Sequence, residues 1–257
     1  MSARRSSRNL PAALALLLAG CASLPVPPPE PLAPEVHRLI DGLDRRWQQF
    51  DDLRTRVEIT LRRDGQVQRL SGVLLLKSPT SIRFEALSPW GQPILILAAT
   101  AESFTLYQVA ENRALLGPAS ARATERWLGV ALEPAELVRI LAGHVLPMKE
   151  PRTGTLRLAG GLGPSLELAG VGAVQRIWLD LDTLVVRRVE WIRGDTQLRV
   201  TYDGGGPVDP PIGLILTALD RPLVVSIRYR KPEIGVGLPT EIFNLPLPEH
   251  TEVQHFR

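Results

Sequence analysis

Side chains with evident chemistry are few in this sequence, and Cys21 stands apart as the only cysteine among 257 residues. It closes the run Leu18-Ala19-Gly20-Cys21, which follows Arg4, Arg5 and Arg8 and the apolar stretch Leu10 to Leu18. A positive start, an apolar run too short to cross a bilayer and small residues before the cysteine predict a secretory signal peptide over residues 1–20. The histidines His37, His144, His250 and His255 have no second ligand at a useful spacing, so no metal site is expected. No GxSxG elbow, P-loop or GxGxxG after a strand is present, and Gly160-Gly161-Leu162-Gly163 reads as a hairpin loop. The carboxylate pairs Asp51-Asp52 and Asp180-Asp182 read as solvated strand faces. These residues predict neither an enzyme nor a cofactor.

Removing residues 1–20 removes Arg4, Arg5 and Arg8, and takes the formal net charge from +3 to zero. The basic character is therefore confined to the predicted signal, and no nucleic-acid partner is expected. With a single cysteine there is no internal disulfide, so the mature domain must be held by its apolar core. No later segment is long and apolar enough for a transmembrane helix.

The elements that would position any site follow from periodicity. Leu24 to Pro34 holds six prolines and predicts an extended tether, which with Cys21 makes residues 21–34 a linker ahead of a single domain over 35–257. Val36, Leu39, Ile40, Leu43, Trp47 and Phe50 recur at helical spacing. From Leu53 the period becomes two, and Asp64-Gly65 predicts a hairpin turn. Further strands are expected as far as Val109 and again from Thr155 to Arg230. Two short helices interrupt them between Ala119 and Gly143, with Glu133-Pro134-Ala135-Glu136 as a helix start and Gly143 as a stop. Gly204-Gly205-Gly206 and Pro207 to Pro211 read as a loop. The proline-rich tail from Pro232 reads as irregular or short β along a sheet edge.

This order predicts a mainly β, α+β fold: about a dozen antiparallel strands in one strongly curved sheet, with helices covering its open side. Aromatic residues make up 5% of the chain, so the interior is aliphatic, either packed shut or open enough for acyl chains. The inward candidates are Val57, Ile59, Leu61, Leu74, Leu76, Ile82, Phe84, Leu95 and Leu97, and the lid candidates are Trp127, Leu128, Leu137, Ile140 and Leu141. Trp90 sits at the tip of a Pro89-Trp90-Gly91 loop. Its ring either faces solvent, where a membrane interface would suit it, or folds back on Pro89 or Pro93 or under the helices.

Leu18-Ala19-Gly20-Cys21 resembles a bacterial lipobox, which implies cleavage before Cys21 and acylation of its thiol and new amino terminus. Roughly 0.8 kcal/mol per buried methylene makes several acyl chains a firm anchor. Further along, the chain resembles the LolB-like outer-membrane lipoproteins of the LolA/LolB lipoprotein-localisation superfamily. The matching stretches are Phe50-Asp51-Asp52-Leu53-Arg54-Thr55-Arg56-Val57, Arg83-Phe84-Glu85-Ala86-Leu87-Ser88-Pro89-Trp90-Gly91-Gln92-Pro93, Leu132 to Gly143 with Leu146-Pro147, and Arg199-Val200-Thr201-Tyr202-Asp203-Gly204. The resemblance implies an unclosed, strongly curved antiparallel barrel of about eleven strands covered by a helical lid, in a monomer anchored in the outer membrane and facing the periplasm. It would bind lipoprotein acyl chains delivered by a LolA-like carrier and insert them into the inner leaflet. It also implies that Trp90 stands where the family carries an apolar leucine in the loop between the third and fourth strands. Ala22, after the cysteine, is not the Asp associated with inner-membrane retention. The alternative is a non-transport envelope lipoprotein, an assembly scaffold or a binder of another apolar ligand on the same fold.

Overall fold

The apolar residues spaced at helical period before Leu53 form one helix, α1 (Pro34–Gln48), in a computed structural model that describes residues 31–207 and 209–256. The predicted signal peptide, Cys21 and most of the proline-rich tether lie outside the described residues. Pro34 occupies the first turn of α1, Glu35 follows it, and Arg45 and Arg46 close the last turn, each end matching the helix dipole. Val36, Leu43 and Trp47 are buried, and Gly42 lets the helix approach Leu184 so closely that a Cβ would lie 2.6 Å from its side chain.

Period-two patterning produces two antiparallel meanders. The first comprises β1 (Asp52–Arg63), β2 (Gln66–Lys77), β3 (Ser81–Leu87), β4 (Pro93–Ala99), β5 (Ser103–Gln108) and β6 (Arg113–Pro118). Helices α2 (Ala121–Leu128) and α3 (Pro134–Leu141) follow. The second meander is β7 (Thr153–Arg157), β8 (Ser165–Gly170), β9 (Ala173–Leu179), β10 (Val186–Arg193), β11 (Thr196–Asp203), β12 (Gly213–Ala218) and β13 (Leu223–Ile234). After a 3-10 turn over Thr240–Phe243, the chain ends in β14 (Glu252–His255). β13 pairs antiparallel with β1, which joins the two meanders into one curved sheet. Its order is β14-β6-β5-β4-β3-β2-β1-β13-β12-β11-β10-β9-β8-β7, with β14 and β7 at the two edges. Asp64 and Gly65, with φ of 49° and 78°, make the predicted β1–β2 turn.

The sheet has 14 strands among the described residues, so the expectation of about eleven is corrected. β6 carries Gly117 and ends on Pro118, and every residue of β14 is exposed, so neither shows an alternating pattern. The pairing is not purely antiparallel either, because β14 runs parallel to β6. Nor does the tail keep to an edge. Asp52, read as a solvated residue, is buried and accepts the N–H groups of Val236 and Leu238 at 2.8 Å each. Arg83 donates to the Ile242 carbonyl at 2.7 Å, and Phe243 is buried. The tail therefore crosses the outer side of the first meander before reaching the β6 edge. Asp180 and Asp182 lie in the β9–β10 turn, not on a strand. The Asp180 carboxylate accepts the Thr183 backbone N–H at 2.9 Å and its hydroxyl at 2.8 Å, and these bonds lower its pKa.

Candidate functional site

Inward-facing residues of β1 to β4 and of β12 and β13 converge beneath α2 and α3, and between them lies a cavity of about 120 Å3. The sheet side consists of Ile59, Leu74, Ile82, Phe84, Leu97, Leu214, Leu216, Val225 and Ile227. The helical side consists of Leu128, Val130, Leu137, Ile140 and Leu141. Every lining residue is aliphatic or Phe, so water finds no hydrogen-bond partner there and the space favours an apolar guest. A second cavity of about 30 Å3 lies between α2 and β3 to β5, bounded by Phe104, Ala123 and Trp127 among others. Ile82, Leu97, Leu128 and Leu137 face both cavities and form the partition.

Five of the nine inward candidates, Ile59, Leu74, Ile82, Phe84 and Leu97, line the larger cavity, and four do not. Val57 and Leu76 are fully packed in the core, while Leu61 and Leu95 are half-buried at its margin. The inward face of a strand is set by its period, but whether a residue meets space or another side chain depends on what stands opposite. Of the helix candidates, Leu128, Leu137, Ile140 and Leu141 line the larger cavity. Trp127 instead lines the smaller one, its ring 6.4 Å from that of Phe104. The sequence reading missed Val130, Leu214, Leu216, Val225 and Ile227. The last four show the same alternation as the chosen residues, but only the β1–β13 pairing brings them to the site.

The two helices are held unequally. α3 begins with the Glu136 carboxylate accepting the Glu133 N–H at 3.1 Å and pairing with Arg193 at 2.5 Å. Its far end is tied by the buried Tyr229 hydroxyl donating to the Leu141 carbonyl at 2.7 Å, and Tyr202 reaches the His144 carbonyl at 3.2 Å. Burial raises both tyrosine pKa values, so the hydroxyls keep their protons. Arg139 pairs with Asp44 of α1 at 3.1 Å and lies over the Trp47 ring. α2 is fastened at its two ends and, at mid-helix, through Thr124. Ser120 caps it, the Thr124 hydroxyl accepts the Leu132 N–H at 2.9 Å, and Arg221 donates to the Gly129 carbonyl at 3.2 Å.

Trp90 is 86% exposed, which decides against a ring folded back on the prolines or under the helices. Its loop is a tight turn: Gly91 donates to the Ser88 carbonyl at 2.9 Å and Ser88 to the Gln92 carbonyl at 2.8 Å, while Gly91 adopts φ of 82°. Pro89, Trp90 and Gly91 are all exposed at the turn between β3 and β4. Among the described residues no cluster of three or more His, Cys, Asp or Glu could hold a metal, and no helix is long and apolar enough to cross a membrane.

Compared by sequence, the chain matches no family model and no curated protein. Compared by structure, it is similar to a putative outer membrane lipoprotein-sorting protein domain from Vibrio parahaemolyticus. That likeness has a TM-score of 0.58 and 14% identity, and covers 80% of this chain and 95% of that one. A LolA superfamily protein from Nitrosomonas europaea superposes with a TM-score of 0.54 at 13% identity, covering 82% and 97%. The chain has a LolA-type fold. A DUF1329 family protein from Desulfovibrio piger shares it, with a TM-score of 0.53 at 15% identity over 81% and 97% of the two chains. The LolA-type fold explains why residues about 170 positions apart in sequence, such as Ile59 and Ile227, stand side by side at the cavity.

Proposed function

We propose that this protein binds acyl chains in the cavity under α2 and α3, and that it is an outer-membrane-anchored receptor which accepts lipoproteins from a LolA-like carrier and inserts them into the membrane. The observation that carries this reading is the wholly apolar cavity lined by Ile59, Leu74, Phe84, Leu137 and Ile140 within a sheet that stays open at its edges. The names of two neighbours, a lipoprotein-sorting domain and a LolA superfamily protein, support the same reading. At about 120 Å3 the cavity is of the size that accepts a benzene-sized group, well short of a long acyl chain. Loading therefore needs the helical lid to move. α2 is the part that moves, because α3 is tied to β10, β13 and α1 by charged and hydroxyl hydrogen bonds. Swinging Leu128 away merges the two cavities.

Transfer needs no covalent chemistry on the cargo and no cofactor, so no catalytic residue is assigned. Acyl chains pass toward the place where they are best sheltered from water, and each methylene that was still exposed before the step contributes about 0.8 kcal/mol. Pro89, Trp90 and Gly91 form the membrane-insertion loop, Trp90 entering the interface where its ring offers apolar area and its N–H stays hydrated. Acylation at Cys21 keeps the domain on the membrane that receives the cargo.

Incubating the protein with a carrier loaded with a lipoprotein, in the presence of vesicles, tests the reading. Cargo should leave the carrier and appear in the vesicles. Trp90→Glu should still take cargo from the carrier, yet lose most of the vesicle insertion, with stability unchanged to within about 0.5 kcal/mol as expected of an exposed site. Cargo that never leaves the carrier would exclude the receptor role. The small cavity favours one second reading, a binder of a compact apolar ligand; saturable uptake of such a ligand without any lipoprotein transfer would select it.

A further inference from the structure

We propose that the β1–β2 hairpin is a second membrane-contact element, which meets anionic phospholipid headgroups while Trp90 enters the apolar layer. The β1–β2 turn and the β3–β4 turn lie at the same end of the sheet, because β1 to β4 run antiparallel in sequence order. The hairpin extends further. The last β2 residue paired with β3 is Gly72, opposite Ala86, whereas β2 begins at Gln66. Gln66 to Leu70 therefore run beyond the end of β3, about 17 Å of strand at ~3.4 Å per residue, with the edge of β2 free there while β1 stays paired with β13 as far as Arg63 and Leu223. Gly72 marks the departure, since a Cβ there would lie 1.9 Å from the Glu85 carbonyl oxygen. Past this point Gln66, Val67, Gln68 and Arg69 are all exposed, so the strand has neither face covered.

The side chains on this projection suit a lipid surface. Val67 is 47% exposed near the tip. Arg62 and Arg69, exposed on the outer face, have no carboxylate at ion-pair distance among the described residues, whereas Arg54 and Arg230 on the same face pair with Glu233 and Glu58. Unpaired exposed arginines on either side of Val67, which outnumber the single carboxylate of the turn, Asp64, complement an anionic bilayer, which attracts each basic group near its surface and is screened by salt.

The inference rests on the reading that the Trp90 end faces the membrane, and hydrogen exchange on the full chain reconstituted with phosphatidylcholine vesicles, with and without phosphatidylglycerol, separates the two. Residues 62–71 should exchange more slowly with phosphatidylglycerol present, and the protection should fade at high salt. The loop over residues 158–164, at the opposite end, should not change. Arg62→Glu with Arg69→Glu should lower the protection at least tenfold; Arg62→Gln with Arg69→Gln, checked for unchanged circular dichroism, should lower it less. Protection of 88–92 without 62–71 overturns the hairpin's role and leaves the Trp90 reading standing. Protection of neither overturns both. Protection of 62–71 that needs an added acidic carrier protein and not the anionic lipid assigns the hairpin to a protein partner and overturns the proposal.

Discussion

His144 shows how far one side chain's behaviour departs from its sequence context. It follows α3, and its ring lies 5.4 Å from that of Trp47 and 5.7 Å from that of Phe50. Burial, with Arg46 and Arg139 nearby, pulls its pKa down from 6.5 to about 3. The folded protein thus holds a neutral imidazole, while the unfolded chain takes up a proton near pH 6.5. Stability from this residue is complete above pH 6.5 and is lost as pH falls toward 3, at up to about 1.4 kcal/mol per pH unit. Urea denaturation between pH 7 and 4 should show that loss, and His144→Gln should flatten it. An identical slope in the variant would assign the loss to carboxylates instead. At this scale the sequence named nine of the fourteen residues that line the cavity, five on the sheet and four on the helical side. It could not separate Ile59 from Val57, which share a strand face, because the difference lies in the residues above them.

Among the elements, the starts and stops were the most legible, since they are written in local chemistry. Asp64-Gly65 at a left-handed turn, Pro134 in the first turn of α3 and Gly143 with φ of 81° beyond its end all stand where expected. The unequal fastening of the two helices was not legible, because Tyr202, Tyr229 and Arg193 come from strands 50 or more residues away in sequence. That asymmetry leads to a prediction about the partition. Leu128→Ala removes a half-buried side chain between the two cavities, so it should cost about 2 kcal/mol in chemical denaturation. It should also increase the uptake of a fluorescent fatty acid. A destabilised variant with unaltered uptake would show that Leu128 is packing only and does not gate the cavity.

For the whole molecule, the tail deserves to be counted as part of the fold. It is pinned at its start by Asp52 and by Lys77, whose ammonium reaches the Leu238 carbonyl at 2.5 Å, and in the middle by Arg83. It ends as β14, which covers the β6 edge, with Phe256 packed against Gly117 and Phe104. An uncovered edge strand is a template for pairing with other chains, and β14 replaces the six-residue β6 edge with one of only four residues. Phe243→Ala should cost about 3–5 kcal/mol as a buried aromatic truncation. If the tail then lifts, the β6 edge is freed and the protein should self-associate in a concentration-dependent way during sedimentation. A monodisperse variant with near-native stability would mean that the tail's contacts are dispensable.

The sequence by itself determined the period of each element and the turns between them, the Pro89-Trp90-Gly91 turn included, because each depends on residues within a few places of one another; that the Trp90 ring is exposed was decided by the fold. Only the tertiary structure decided that β13 lies beside β1, that the tail crosses the sheet, and that a cavity persists between Leu74 and Leu137. Periodicity shows which way a side chain points. What it meets is set by partners brought from elsewhere in the chain, and an empty space is defined by all of its walls at once.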